Sequence, residues 1–421
     1  MHITVIASGT RGDVQPILAL SQGLRDAGHE VVIVAGSNFE DWVRGHGFGF
    51  VPTIDMEALM GSEKGLAWSE NGHNPMKQLR LMRELLDEHG EELVLPLVQA
   101  AAATDLLISG FTSEPFVQSI SEKTGVPHLN AILQPQLPSR YGPVLMAPVR
   151  PQTSSIFNGW MAALAERLVW GVSANVTNNL RTRHLGLPPM DAKGFWRGRM
   201  STPRVMGFSR HVVPPAPDWP KESVVTGYWF LDEPTEWQPS PELNNFLEAG
   251  EPPVYIGFGS MSHRDPQATL DLIRAAVQQT NQRAIVALGW SKGQQANLPT
   301  NLFVLQNAPH HWLFPRMAAV VHHGGAGTTA AGLRAGRPTL IIPHMADQPY
   351  WGRRVHELGV GGKPIPRHKL TAKALAEGLT QLVRNTQIKG QAEALGVKIG
   401  AEQGVEVAVQ AIELIIREEI V

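Results

Sequence analysis

The 421-residue sequence contains no cysteine. Disulfides, thiolate metal sites, iron–sulfur clusters and a cysteine nucleophile are therefore excluded. It also lacks a surplus of positive charge, since 36 Lys and Arg stand against 38 Asp and Glu. A chain that neutralises a phosphate backbone needs such a surplus, so no nucleic acid is expected as partner. No apolar run reaches the ~20 residues that span a bilayer. Residues 92–109 come nearest, and Pro96, Gln99, Thr104 and Asp105 interrupt them. The first residues, Met-His-Ile-Thr-Val-Ile-Ala-Ser-Gly, read as a strand and turn rather than a signal peptide. The expectation is a soluble, cytoplasmic protein. Two ligand motifs are missing as well. No Asp-x-Asp occurs, and the first turn lacks the Gly-x-Gly-x-x-Gly spacing of a dinucleotide site.

What is present is a folded chain with many turns. Hydrophobic residues make up 43% and charged residues 18%, while glycine and proline, 41 and 32 residues, exceed average usage. Residues 3–7 read as a buried strand, 8–16 as a turn, 17–27 as a helix ending at Gly28, and 30–35 as a second strand. That is a β-α-β unit with parallel strands and a right-handed crossover. Strands are expected at 106–109 and 127–132, with a helix at 115–124 between them. The pattern loosens from 135 to 220, where 156–172 and 174–185 read as two helices. The Pro-Pro-Ala-Pro run at 214–217 reads as a boundary. Alternation then restarts, with strands at 254–258, 284–288, 302–306, 318–322 and 339–343. Helices fit at 266–280, 327–335, 351–358 and 371–384. The expected fold is α/β, with two Rossmann-like doubly wound parallel sheets and a cleft between them. The expected domains are 1–215 and 216–400, followed by an amphipathic helix at 401–421 that packs back across both.

The strongest local signal is Val320-Val321-His322-His323-Gly324-Gly325-Ala326-Gly327-Thr328-Thr329. A strand delivers two histidines, and glycines then open a helix. Free amides at a helix N-terminus bind anions, and glycine permits close backbone approach. With the Thr328 hydroxyl and the His323 imidazole, the turn suits a diphosphate without a P-loop lysine. Gly257-Phe258-Gly259-Ser260 ends another strand and could add donors to the same phosphates. Asp347 and Gln348 follow the 339–343 strand and offer carboxylate and amide groups to sugar hydroxyls. In Gly9-Thr10-Arg11-Gly12-Asp13-Val14-Gln15-Pro16, Asp13 sits at a strand end, where a carboxylate can take a proton from an incoming hydroxyl. For Asp13 and Asp347, the plain structural use is a helix N-cap. A metal site is conceivable from His310, His311, His322, His323 and His344, but adjacent histidines on a strand point to opposite faces, so each pair supplies one ligand at most and no metal is expected.

In order along the chain, these segments resemble the family 1 nucleotide-sugar glycosyltransferases of the GT-B fold. The nearest resemblance is to the sterol glucosyltransferase branch of fungi and bacteria. The stretch from Ala308-Pro309-His310 through Trp312-Leu313-Phe314-Pro315, then 322–336, Asp347-Gln348-Pro349 and Trp351-Gly352, carries it. The Gly9–Pro16 and Thr226-Gly227-Tyr228-Trp229 segments add to it. The resemblance implies a carboxyl-terminal donor domain for UDP-glucose, used as a substrate, with no cofactor and no metal. His323, Gly325, Gly327 and Thr328 would hold the diphosphate, with Ser260 closing from the other side. Backbone near Ala308 would meet the uracil, and Asp347 and Gln348 would read the glucose. Asn307 stands where the plant branch has a stacking tryptophan, and Ala331 where it has an acidic ribose contact. Asp13 matches the base position of an inverting transfer.

The implied acceptor is a lipophilic small molecule, a sterol in the first place, bound by the amino-terminal domain. Apolar candidates are Met56, Leu59 and Trp68 in one segment, Met76 and Leu79 in another, and Gln134, Tyr141, Phe157 and Trp160 in a third. Core packing is the plain alternative for each. As a set, flexible apolar loops suit a large alcohol and could also touch a membrane surface transiently. The rival readings are a transferase for a macrolide, polyphenol or glycopeptide aglycone, a sugar-nucleotide binding protein, and a nucleotide-sugar epimerase. The sequence does not give the oligomeric state.

Overall fold

The computed structural model describes residues 1–72, 74–141, 154–231, 237–258, 266–287 and 299–420, apart from the side chains of 266 and 418–420. The chain divides into two compact units. One holds Met1–Trp68, Asn74–Leu231 and Gln403–Val421, and the other holds Ser69–His73 and Asp232–Glu402.

The first unit begins β1 (His2–Ala7), α1 (Arg11–Asp26), β2 (Glu30–Gly36), α2 (Glu40–Gly45), β3 (Gly49–Thr53). It continues through α3 (Met56–Gly61), α4 (Glu63–Glu70), α5 (Pro75–Ala100), β4 (Leu106–Ser109), α6 (Glu114–Thr124) and β5 (His128–Ile132). After these come α7 (Ile156–Asn179), α8 (Ala192–Ser201), β6 (Arg204–Met206) and β7 (Ser223–Val225). Among the described residues these strands form one seven-stranded sheet in the order β3-β2-β1-β4-β5-β6-β7. Every described pairing in it is parallel. The order reverses at β1, as in doubly wound sheets. Helices cover both faces, so β1 and β4 read as unbroken apolar runs with buried side chains. Residues 214–217 lie between β6 and β7 of this sheet.

The second unit runs α9 (Pro241–Glu248), β8 (Val254–Gly257), α10 (Pro266–Thr280), β9 (Ala284–Ala287), β10 (Leu302–Leu305), α11 (His310–Leu313), β11 (Ala319–His322). It ends α12 (Ala326–Arg334), β12 (Thr339–Ile341), α13 (Gln348–Glu357), α14 (Ala372–Arg384) and α15 (Thr386–Gly400). Its described strands make a five-stranded sheet, β10-β9-β8-β11-β12, again all parallel. The α/β class with two parallel sheets is therefore observed. The last helix, α16 (Gly404–Ile420), places Ala408, Val409, Ala411 and Ile412 in the core of the first unit beside Leu20 and Leu24 of α1.

Several elements differ from expectation. Helix α1 starts at Arg11, six residues before the expected start, and carries Pro16 inside it. Thr10 supplies the start signal as N-cap, three residues before Asp13, so the segment 8–16 is not a plain turn. Residues 156–179 form one helix, not two, because nothing between 172 and 174 breaks it. Its last turn widens to a π-turn at Leu180–Leu185. Residues 75–93 and 386–400, left without an expected element, are helical. No helix among the described residues is long and apolar enough to cross a membrane.

Candidate functional site

In the second unit, the sequence Gly324-Gly325 turns the end of β11 into α12. Gly324 has φ +98, which an L side chain rarely adopts, and a Cβ there would lie 2.5 Å from Ile341 Cγ2. The Gly324 N–H donates to Nδ1 of the buried His322 at 3.0 Å, which fixes the turn. Gly325 is the N-cap of α12, with Ala326, Gly327 and Thr328 in the first turn. The first intrahelical bond is donated by Thr329 N, so the three amides before it point to the open end. The position a Gly325 Cβ would take is 2.6 Å from His323 Nε2, which puts the imidazole at the same corner. Burial pushes the His323 imidazole down from 6.5 to about 4, so it is neutral at physiological pH. A neutral imidazole N–H, three amides and the positive end of a helix dipole are groups that can together hold an anion.

The strand β12 leads into α13 through a strained corner. Ala346 has φ +52, uncommon for a residue with a side chain. Asp347 occupies the N-cap of α13, yet its carboxylate caps nothing; its Oδ2 accepts from Trp351 Nε1 at 2.7 Å. Gln348 is buried, and its Oε1 accepts from the amides of His344 at 2.8 Å and Met345 at 3.1 Å. The side-chain oxygen of Gln348 is thus committed to the backbone, while Asp347 is oriented by the indole one turn on. Ala308 is buried in the apolar cluster with Leu313 and Phe314 just after β10. Ser260 lies outside the described residues.

In the first unit, Asp13 is the third residue of α1 and half-buried. Its Oδ2 accepts from Thr10 N at 2.8 Å and from Thr10 Oγ1 at 3.3 Å. Gly9 has φ +147, and a Cβ there would lie 2.2 Å from the same oxygen. Only glycine leaves the carboxylate its place. Burial pushes the Asp13 carboxyl up from 3.8 to about 6, against the two Thr10 hydrogen bonds. Asp13 Oδ1 carries no hydrogen bond among the described residues. The turn is braced from the connection between β4 and α6, where Thr112 Oγ1 donates to the Ser8 carbonyl at 3.2 Å.

The apolar candidates fall into separate places. Met56 and Leu59 are on α3 and Trp68 on α4, all half-buried. Met76 is 64% exposed at the start of α5, with Leu79 half-buried one turn on. Gln134 accepts from Gln136 Nε2 at 3.3 Å, and Tyr141 is exposed. Phe157 and Trp160 share the exposed face of α7 with Leu164 and Leu168. Leu59 lines a cavity with Ile54, Leu95 and Pro96.

Three supports escaped the sequence reading. Thr10 and Trp351 hold the two aspartates, and their spacings, Thr-x-x-Asp and Asp-x-x-x-Trp, were signals available to find them. The third is a buried network at the ends of β4 and β5. Arg199 Nη1 donates to Glu166 Oε2 at 2.9 Å, and its Nε lies 3.4 Å from Glu114 Oε2. Asn130 Nδ2 donates to Glu114 Oε1 at 2.6 Å, and Ser109 Oγ donates to Asn130 Oδ1 at 3.0 Å. No periodicity announces these long-range partners. Among the described residues, no group of three or more His, Asp or Glu is placed to hold a metal.

Comparison with known proteins decides the family. Residues 3–140 match the glycosyltransferase family 28 N-terminal domain, and residues 271–414 the erythromycin biosynthesis protein CIII-like C-terminal domain. The solved glycotransferase of kitacinnamycin superposes with a TM-score of 0.72 at 18% identity, covering 98% of each chain. The SsfS6 glycosyltransferase of Streptomyces sp. SF2575, complexed with thymidine diphosphate, superposes at 0.63 and 18% identity over 98% of this chain and 99% of that one. At such identities these two show the GT-B fold. Sterol 3-beta-glucosyltransferase UGT80B1 of Arabidopsis thaliana is 35% identical over 422 residues, which cover 98% of this chain and 67% of that protein. The chain belongs to the sterol 3-beta-glucosyltransferase family of GT-B glycosyltransferases. It spans 65% of a second Arabidopsis member and from 27% to 30% of the fungal ones. In this GT-B glycosyltransferase, the glycine turn of β11–α12 and the Asp13 turn of β1–α1 are both strand-to-helix connections at carboxyl ends of parallel strands, where doubly wound sheets bind ligands.

Proposed function

We propose that the chain moves glucose from UDP-glucose to a hydroxyl of a lipophilic acceptor, a sterol, with inversion at the anomeric carbon and without a metal. The observation that carries this reading is Asp13. Its carboxylate is desolvated to about 6, has one oxygen tied to Thr10 and leaves the other to accept a proton. A base with its pKa just below the working pH is ionised yet still basic, which suits proton abstraction from an alcohol.

The donor follows from the other corner. The diphosphate would take the amides of Ala326, Gly327 and Thr328 together with the His323 imidazole. That SsfS6, of the same fold, is complexed with thymidine diphosphate supports a nucleoside diphosphate as the ligand. Asp347, held by Trp351, and the amide of Gln348 would face the sugar hydroxyls. As the glycosidic bond to the diphosphate breaks, the sugar acquires oxocarbenium character, as in glycoside hydrolysis. Negative charge grows on the departing β-phosphate. Helix N-terminal amides and a fixed imidazole N–H meet that charge without reorganising. The acceptor oxygen attacks from the opposite face as Asp13 takes its proton, so the product has inverted configuration. Similarity to sterol 3-beta-glucosyltransferases over 98% of this chain supports a sterol acceptor. The exposed apolar face of α7 would then lie against the bilayer that supplies it.

The test is an acceptor panel with labelled UDP-glucose, read by mass spectrometry. Sterols should gain one hexose in preference to polyphenol and macrolide alcohols. Hexose transfer confined to the latter would replace the sterol reading. UDP binding without any product, or conversion of the sugar nucleotide alone, would overturn transfer itself.

A further inference from the structure

Strands β1 and β4 lie side by side, with Ile6 level with Ser109, so the connections that follow them leave the same carboxyl edge together. One carries Gly9 and Thr10 into the Asp13 turn of α1, and the other is residues 110–113. The second connection supplies no group to the mechanism above, yet it is anchored at both ends. The Gly110 N–H donates to the Ile6 carbonyl at 3.2 Å, and Ser113 Oγ donates to the Gly110 carbonyl at 3.3 Å. The Arg199 guanidinium lies 4.9 Å from the centroid of the Phe111 ring. Ser113 and Glu114 are buried, and Glu114 is tied to Asn130 and Arg199. Moving Glu114 would part a buried charge from its partners, so the far end of the connection is fixed.

Thr112 stands between these anchors, exposed, and its Oγ1 donates to the Ser8 carbonyl at 3.2 Å. That carbonyl shares a rigid peptide plane with Gly9 N, so the bond sets one side of the Gly9 φ of +147. The other side of Gly9 leads to Thr10, whose N–H and Oγ1 both donate to Asp13 Oδ2, at 2.8 and 3.3 Å. A Gly9 Cβ would fall 2.2 Å from that same oxygen, so a rotation of the glycine carries directly to the carboxylate. The path from Thr112 to Asp13 thus runs through the backbone of Ser8, Gly9 and Thr10.

From this geometry we infer that Thr112 is a positioning residue for the base: through the Ser8 carbonyl it holds the turn of Gly9 and Thr10 that aims Asp13 at the acceptor hydroxyl. The inference rests on the transferase reading and adds a residue that acts on the chemical step through another. An exposed hydroxyl can exchange its partner for water, so its hydrogen bond contributes little to stability. Its weight falls on catalysis, where a misplacement of about 1 Å can cost about 10²-fold. The hydroxyl is what the role requires, and the methyl group is not.

Thr112→Val removes the donor and keeps the branched shape. It should lower kcat about tenfold, the scale of one lost hydrogen bond, with the KM for UDP-glucose and the urea midpoint in place. Thr112→Ser should restore kcat to near the wild-type value. The decisive readout pairs Thr112 with Asp13. In the Asp13→Asn background no base is left to aim, so adding Thr112→Val should leave the residual rate unchanged. Losses that multiply in the double variant overturn the inference, as does a wild-type kcat in Thr112→Val or a serine variant as slow as the valine one. Should no acceptor be glycosylated at all, the transferase reading fails separately, and carbon-13 NMR titration of the Asp13 carboxyl then decides. Burial raises that carboxyl against the two Thr10 bonds, and no charged side chain among the described residues contributes. Thr112→Val should therefore move its midpoint down toward 3.8 as water enters the loosened turn, while Thr112→Ser leaves it in place. A midpoint unmoved by the valine ends the inference.

Discussion

Replacing Asp13 by asparagine should cost activity and gain stability, in amounts the structure sets. The amide can still accept from Thr10 N, so the turn keeps its main hydrogen bond. It cannot take a proton. General-base contributions of about 10²–10⁴-fold are expected to vanish from kcat, while UDP affinity stays at its wild-type value. The stability term has a definite sign. The folded-state pKa, about 6, lies above the ordinary 3.8. The native chain therefore holds the proton more tightly than the unfolded chain. That contribution is complete below 3.8 and is lost as pH rises through 6. At pH 8 the ionised carboxylate costs at most about 3 kcal/mol, and less in proportion to the water that reaches a half-buried group. The Asp13→Asn variant escapes this cost. Urea unfolding of both proteins should show the variant gaining on the wild type as pH rises from about 4 through 6, with the difference level above about pH 7. In the wild type, kcat/KM should fall tenfold per pH unit below 6, while the variant's residual rate stays flat there. Turnover near wild type, or a wild-type rate indifferent to pH across 6, would remove Asp13 as the base.

His323→Ala should weaken UDP binding by about tenfold or more, read by calorimetry, because it deletes a charge-facing donor. With its imidazole near 4, His323 stays neutral above pH 5.5, so UDP-glucose affinity should be level from there to pH 8; a rise on acidification would mean that a charged imidazole does the binding. Gly9→Ala sets a methyl group 2.2 Å from Asp13 Oδ2 on a backbone with φ +147. It should destabilise by about 1–3 kcal/mol and lower kcat more than it raises the donor KM; kinetics and stability at wild-type values would contradict the crowding. Arg199→Ala strands Glu114 and Glu166 in the core and should cost about 3–5 kcal/mol in chemical denaturation, whereas a loss under 1 kcal/mol would mean the network is solvated.

The alternation of strand and helix was legible wherever apolar periodicity was strong. The strands at 106–109 and 319–322, and the helices at 114–124 and 266–280, needed only pattern and turn residues. The start of α1 was not legible from periodicity, because its first turn is polar and contains a proline. The capping pair Thr10 and Asp13 was the better signal there. Helix α5 hid because its first half has a mixed face and only Gln78 and Leu85 are buried before residue 90. The glycine turn was readable from residue types, since a strand followed by glycines and a helix start has few uses. The commitment of the Gln348 oxygen to two backbone amides was not, because it depends on how the turn at Ala346 folds back. Long-range pairs such as Arg199 with Glu166 leave no local trace at all.

The most direct trial of the account is the anomeric configuration of the product formed from UDP-glucose and a sterol in the presence of a chelator, read from the anomeric proton coupling by NMR. A single β-glucoside, made at an unreduced rate and about 10²-fold or more slowly by the Asp13→Asn variant, is the predicted result. An α-glucoside, or transfer that stops when divalent ions are removed, would contradict it.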